Sequence, residues 1–268
     1  MTKIRDLLYL PPVERQLLRI FLAHVTGLSH AQLLSRDDTE LSREQEAAVY
    51  AMLTQAQSGV PVAYIVGVKE FFSHKFKVTQ ATLIPRPETE LLVEEALALA
   101  PLGANIADLG TGSGCIAISL KLARPDLSVV ASDFSLAALD VARANALNLG
   151  APVEFLCSDW FSAFSVERQF DLIVSNPPYI AQGDVHLIDL ALEPQSALSD
   201  GADGLSCIRK IVARAGAYLK PGGWLLIEHG YDQGAQVREI FGQQQFNDVS
   251  TLCDLAGIER LCVGQYRR

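Results

Sequence analysis

Apolar residues first recur at helical spacing. Val13, Leu17, Leu18, Phe21, Leu22 and Val25 fall on one helical face. Ser42-Arg43-Glu44-Gln45 is a capping-box pattern, and Ala47, Ala48, Ala51 and Leu53 follow it. The first 60 or so residues therefore predict helices only, closed by Gly59 and Pro61. Alternation over 71–78, from Phe71 to Val78, predicts a short hairpin bridging two domains. Pro85-Arg86-Pro87-Glu88-Thr89-Glu90 then opens a helix running to Leu99, because proline and acids both favour a first turn.

From about residue 104 the pattern becomes strand–helix alternation. Strands are predicted at 106–109, 128–132, 153–157, 170–175 and 224–228, and helices at 114–123, 135–148, 204–218 and 233–242. Such alternation predicts an α/β domain with a mostly parallel sheet covered by helices on both faces. Two late segments, 248–253 and 260–263, have no helix between them and suit an antiparallel edge pair. The expected division is a helical unit over 1–66, a hairpin linker over 67–84 and the α/β domain over 85–268.

Charge and cysteine usage narrow the class. The 268-residue chain has 22 Lys plus Arg against 31 Asp plus Glu, a net charge of -9, which disfavours bulk phosphate-backbone binding. Five cysteines form no C-x-x-C pair, which argues against a disulfide framework or structural zinc and fits a reducing compartment. No signal-type apolar run follows the first residues, and no uncharged stretch of about 18 residues suits a membrane span. The expectation is a soluble cytoplasmic monomer with no nucleic-acid or membrane partner.

Asp108-Leu109-Gly110-Thr111-Gly112-Ser113-Gly114-Cys115 stands where the first strand of the alternating region meets a helix. Ligands bind at the carboxyl ends of parallel strands, and glycines there let the backbone approach them closely. The pattern G-x-G-x-G misses the dinucleotide fingerprint, and no P-loop lysine follows. A site without a phosphate grip suits a nucleoside bearing an amino-acid tail. Asp108 would meet the ammonium group, directly or through a water. Asp133 ends the next strand, 19 residues after Gly114, and can accept both ribose hydroxyls. Asp159 ends the third and can accept from an adenine amino group, with Trp160 or Phe161 over the ring. Acids at three strand ends point to S-adenosylmethionine. The glycines alone would also fit a tight turn in any α/β protein.

The fourth strand runs into Ser175-Asn176-Pro177-Pro178-Tyr179-Ile180. Two prolines stop the strand and fix the backbone. In a doubly wound sheet this end lies beside the first strand. The Asn176 side-chain oxygen and the Pro177 carbonyl can then accept the two coplanar donors of a planar NH2, as in a carboxamide or an adenine amine. Tyr179 can pack on its flat face. Acceptors that strengthen as that nitrogen becomes positive favour the transition state over the ground state.

Asp108 to Gly114, Ser158-Asp159-Trp160-Phe161 and Ser175 to Ile180 together resemble the HemK/PrmC family. Its members are protein-(glutamine-N5) methyltransferases of class I peptide chain release factors. The likeness extends to Thr82-Leu83-Ile84-Pro85-Arg86-Pro87-Glu88-Thr89-Glu90, to the segments 193–198 and 201–204, and to Glu228-His229-Gly230. It departs at Gly264-Gln265-Tyr266, where the family pattern has Gly-Arg-Tyr. The resemblance implies a class I Rossmann-like methyltransferase with a seven-stranded sheet and a helical substrate-docking domain. It implies that Gly110, Thr111, Gly112, Ser113, Gly114, Asp133, Trp160 and Asn176 contact the cofactor. It also implies that Asn176, Pro177, Pro178 and Tyr179 hold a glutamine from the release factor's Gly-Gly-Gln loop.

Two rivals are an adenine-N6 nucleic-acid methyltransferase, which shares the tetrad, and a nucleoside-binding protein without turnover. The acidic charge speaks against the first and the tetrad against the second. The five histidines lack metal-ligand spacing and are expected on the surface or in packing. Arg86 either steers substrate or caps a helix. The 184–203 stretch is either a substrate-side lid or an ordinary loop.

Overall fold

The computed structural model describes residues 2–8 and 12–267, without the side chains of 12–14. The Val13 side chain, counted above on the helical face, lies outside the described residues. The chain divides into two compact units, Met1–Val68 and Lys69–Arg268.

The first unit is helical: α1 Ile4–Leu8, α2 Pro12–Thr26, α3 His30–Ser35, α4 Arg43–Gln57 and α5 Val62–Val66. The Ser42–Gln45 capping box forms as the sequence predicts, and a second one closes between Ser29 and Gln32. Leu18, Phe21, Leu22, Leu33, Leu41 and Val49 make its core.

The hairpin is β1 Val68–Phe71 and β2 His74–Lys77, three residues earlier than the alternation predicts at its start. Phe72 and Ser73 form its turn with positive φ of 48° and 62°. Neither is the glycine or asparagine that usually marks such a turn, so the sequence misplaces it. A 3-10 turn, Pro87–Thr89, precedes α6 Glu90–Leu99.

The sheet follows with β3 Asn105–Leu109, α7 Cys115–Ala123, β4 Ser128–Asp133, α8 Leu136–Leu149, β5 Glu154–Cys157 and β6 Phe170–Ser175. After the short helices α9 His186–Asp189 and α10 Gln195–Leu198 come α11 Ser206–Ala215, β7 Leu219–Glu228, α12 Gly234–Gly242, β8 Phe246–Cys253 and β9 Glu259–Tyr266. The seven strands lie in the order β5-β4-β3-β6-β7-β9-β8, with only the pairs made by β9 antiparallel. Alternate residues serve opposite faces. Ile106, Leu172, Val174 and Leu226 join the core under α6 and α7, while Ala107, Ile173, Leu225 and Ile227 join the core under α11 and α12. Both faces are buried, as parallel strands require. Strand order reverses between β3 and β6, and the crevice at a reversal is where such sheets bind ligands.

At the antiparallel end the departure from the family pattern, Gln265, donates Nε2 to the Gly222 carbonyl at 2.8 Å and lies away from that crevice.

Candidate active site

At the β3–β6 reversal lies a cavity of about 610 Å³. The turn after β3 forms its floor. Gly110, Gly112 and Gly114 all take positive φ there, and the Gly110 and Thr111 N–H groups donate to the Ser132 carbonyl at 2.8 and 2.9 Å. A Cβ on Gly112 would meet no protein atom within 4 Å, so the backbone itself is open to a ligand. A Cβ on Gly114 would stand 2.8 Å from Ile118 and 3.1 Å from Ala142; that glycine allows close packing of α7 and α8. Asn145 of α8 braces the turn from behind, donating to the carbonyls of Ser113 (2.9 Å) and Lys77 (3.0 Å) and accepting from the Lys77 N–H (2.7 Å).

Asp133 is buried on the cavity wall. Each carboxylate oxygen accepts one backbone N–H, from Gly112 and from Ser135, both at 2.9 Å. Burial raises its pKa and those N–H groups oppose the rise. One lone pair per oxygen remains for a pair of hydroxyls. Asp159 is exposed on the same wall. Trp160 stands beside it at φ 48°, with its ring 3.5 Å from where a Gly110 Cβ would be. Phe161, the other ring offered by the sequence, turns into the core and stacks on Tyr218 at 4.5 Å. Of those two rings Trp160 is therefore the one available to a ligand, and Phe134, exposed after β4, lines the same cavity.

Asp108 departs from expectation. It is fully buried behind the wall, where its Oδ2 accepts the Thr111 hydroxyl at 2.6 Å and Oδ1 has no partner among the described residues. Burial pushes its pKa up to about 7. Asp108 does not line the cavity, whereas Thr111, whose hydroxyl donates to it, does. Ser113 also lines it, although its hydroxyl is buried and unpartnered.

The tetrad divides. Asn176 and Pro178 stand on the cavity wall, whereas Pro177 is buried and Tyr179 lies behind it. Asn176 donates Nδ2 to the Thr89 hydroxyl at 3.1 Å, which leaves Oδ1 to accept. The Tyr179 hydroxyl donates to Glu228 Oε1 at 3.3 Å, and its carbonyl accepts Gln233 Nε2 at 2.9 Å. Tyr179 thus anchors the tetrad from beneath; it does not cover a ligand face. Glu228 is buried, and burial raises its pKa to about 7. His229, next to it, is fully buried, donates Nδ1–H to the Gly230 carbonyl at 2.8 Å, and has its pKa lowered by burial, as a packing histidine should.

Arg86 lines the cavity and pairs with the buried carboxylate of Glu193; its side chain caps no helix. Glu193 also accepts the Ile84 N–H at 3.1 Å, so part of the 184–203 stretch is pinned beside the site. Pro194, Ser196, Ser199 and Asp200 line the cavity. No cluster of three or more potential metal ligands occurs among the described residues. No helix of the described residues is long and apolar enough to cross a membrane.

Sequence comparison adds two domain matches. Residues 87–193 match the methyltransferase small domain, and residues 11–67 match the PrmC N-terminal domain. A release factor glutamine methyltransferase of Neisseria gonorrhoeae is 48% identical over 262 residues, covering 97% of this chain and 95% of that protein. One of Burkholderia pseudomallei is 47% identical over 270 residues, with the same coverage of 97% and 95%. Among solved structures, a methyltransferase from Pyrococcus furiosus superposes with a TM-score of 0.56 at 14% identity. It covers 85% of this chain and 100% of its own, a likeness of fold alone.

Proposed function

This chain belongs to the release factor glutamine methyltransferases, and on that premise we propose the following activity. It transfers a methyl group from S-adenosylmethionine to the side-chain amide nitrogen of the glutamine in the Gly-Gly-Gln motif of class I peptide chain release factors, and so modulates translation termination. The observation that carries this reading is the Asn176 amide. Its donor end is committed to Thr89, so an acceptor faces the ligand cavity that also holds Asp133.

The residues suit the cofactor. Asp133 takes the ribose hydroxyls on its two remaining lone pairs, Asp159 and Trp160 take the adenine, and the open backbone of Gly110 to Gly114 takes the amino-acid tail. The cofactor supplies a sulfonium-activated methyl group. The protein's own task is to make an amide nitrogen reactive. That nitrogen is a poor nucleophile because its lone pair is delocalised. Asn176 Oδ1 and the Pro177 carbonyl hold its two N–H bonds, which fixes the direction of attack. As the nitrogen gains positive charge both acceptors bind it more strongly. Preorganised geometry of this kind lowers a barrier by up to roughly 7–11 kcal/mol. The methylated nitrogen is acidic enough to lose its proton to water, and no strong base is needed.

A three-residue motif offers few contacts, so the helical unit over 1–66 is assigned to docking the body of the release factor. The test is methyl transfer from labelled S-adenosylmethionine to release factor, to its Gln→Ala variant and to duplex DNA. Label should enter the intact release factor alone. Label in DNA, or equal label in the Gln→Ala variant, would overturn the assignment.

A further inference from the structure

The tetrad carries acceptors that must stand in one place, yet its own backbone offers little to hold them. Ser175, the last residue of β6, is still in the sheet, paired with Leu109 and Ile227. Pro177 and Pro178 have no N–H and can donate no hydrogen bond. Their rings fix φ, not the place of the turn against the rest of the protein. Past the prolines the main chain is caught again at the Tyr179 carbonyl, which accepts Gln233 Nε2 at 2.9 Å. The Ile180 N–H then donates to the Leu198 carbonyl at 2.9 Å and the Gln182 N–H to the Ala202 carbonyl at 2.8 Å.

Gln233 is the cross-tie at that point. Its Oε1 accepts the Gly230 N–H at 2.8 Å, and Nε2 also donates to the Gly204 carbonyl at 3.4 Å. An N–H can only donate and a carbonyl can only accept, so all three partners agree on one orientation of the amide. Gln233 is buried, and two glycines make its room. A Cβ on Gly204 would stand 2.8 Å from Nε2, and one on Gly230 would stand 3.0 Å from Oε1. One side chain thus joins the end of the tetrad, the loop before α11 and the loop after β7. It does not line the cavity, so it reaches the ligand only through the tetrad.

We propose that Gln233 is a positioning residue for methyl transfer: it clamps the tetrad beyond its prolines, so that the Asn176 oxygen and the Pro177 carbonyl stand where the substrate amide needs them. The proposal rests on the methyltransferase reading of this site and names what holds its acceptors. The Thr89 contact steadies the Asn176 side chain, and Gln233 steadies the main chain that follows it. A displacement of about 1 Å at a reacting group can cost roughly 100-fold in rate.

The test has three readouts. Gln233→Met keeps the length of the side chain and removes its hydrogen bonds. It should lower kcat on release factor at least tenfold while cofactor Kd stays within twofold. Gln233→Glu keeps the shape and exchanges the donor for a group that titrates. As an acid it still donates to the Tyr179 carbonyl; as a carboxylate it has no proton to give and repels that oxygen. Its turnover, taken as a ratio to wild type at each pH, should be highest at low pH and fall at least tenfold as pH rises. The titratable groups nearby, among them Tyr179, Asp203, Glu228, His229, Asp232 and Glu259, are common to both proteins, so the ratio isolates residue 233. A packing role would leave that ratio flat. The third readout needs no substrate: in Gln233→Met, amide hydrogen exchange at Ile180 and Gln182 should accelerate at least tenfold while the amides of β3 and β4 keep wild-type rates. Gln233→Met turning over within twofold of wild type, a flat Gln233→Glu ratio, or exchange unchanged at Ile180 or equally faster throughout the sheet would each overturn the proposal. Failure of the functional reading looks different: wild-type protein would then label no release factor while the exchange difference at Ile180 persists.

Discussion

At Asn176 one amide is divided between two tasks, its nitrogen holding Thr89 and its oxygen facing the cavity. Truncation separates these from cofactor binding. Asn176→Ala should lower turnover by about 100-fold or more, the scale on which a single oriented polar group in an active site acts. Its cofactor affinity should fall far less, and calorimetry beside single-turnover transfer checks the split. Asp133 predicts the reverse. Its carboxylate is held by two backbone N–H groups and offers charged acceptors, each worth about 1.5–3 kcal/mol per hydrogen bond. Asp133→Ala should weaken cofactor binding by roughly tenfold or more on that scale. An affinity within twofold of wild type would remove it from the ribose.

Among the elements, the loop before α11 leaves no room for a side chain against the backbone of the tetrad. Gly204 takes φ +80°, and a Cβ there would lie 2.5 Å from the Tyr179 carbonyl and 2.8 Å from Gln233 Nε2. That carbonyl ends the tetrad. Gly257, at φ +77° with nothing within 4 Å, bears the same backbone demand without the crowding. Alanine at either position should cost about 1–2 kcal/mol of stability through the left-handed conformation. Only Gly204→Ala should also lower turnover, by tenfold or more, because the tetrad must shift. Denaturant midpoints and turnover for the two variants decide it; equal turnover would mean the tetrad tolerates the shift. The same scale shows what the sequence made legible. β3, β4 and β6 were read to within a residue because their apolar runs end on polar ligand groups. β7 begins five residues before the predicted strand, since Leu219 pairs with Phe170 and Trp224 with Leu172, while the turn-like Lys220–Gly223 bulges between them. Asp133 and Asn176 were legible as strand ends. Asn145, Glu193, Thr89 and Gln233 were not, because each acts on a partner between 54 and 109 residues away and belongs to no local pattern. A polar asparagine in an otherwise alanine-rich, buried helix face was the one local hint.

For the molecule as a whole, two buried acids set a pH dependence of stability. Asp108 and Glu228 each have a folded pKa of about 7, against roughly 4 when unfolded. Between those values the folded state holds more protons than the unfolded one, so stability falls as pH rises from about 4 to about 7 and then levels. The Tm of the wild type should decline over that window. Asp108→Asn should reduce the slope whatever it does to the Tm itself; an unchanged slope would mean Asp108 is ionised throughout. The chain also has only two tryptophans. Trp224 sits in β7, an interior strand away from the cavity, paired with Leu172 and Gln265. Trp160 is on the ligand wall, held over the glycine turn at a left-handed φ. The molecule's ultraviolet emission is therefore in part a report on whether the cavity at the β3–β6 reversal is filled. Adding S-adenosylhomocysteine should change that emission in the wild type and in Trp224→Phe, and leave it unchanged in Trp160→Phe. Occupancy could then be followed by light in the unlabelled protein, in real time and before any methyl group has moved.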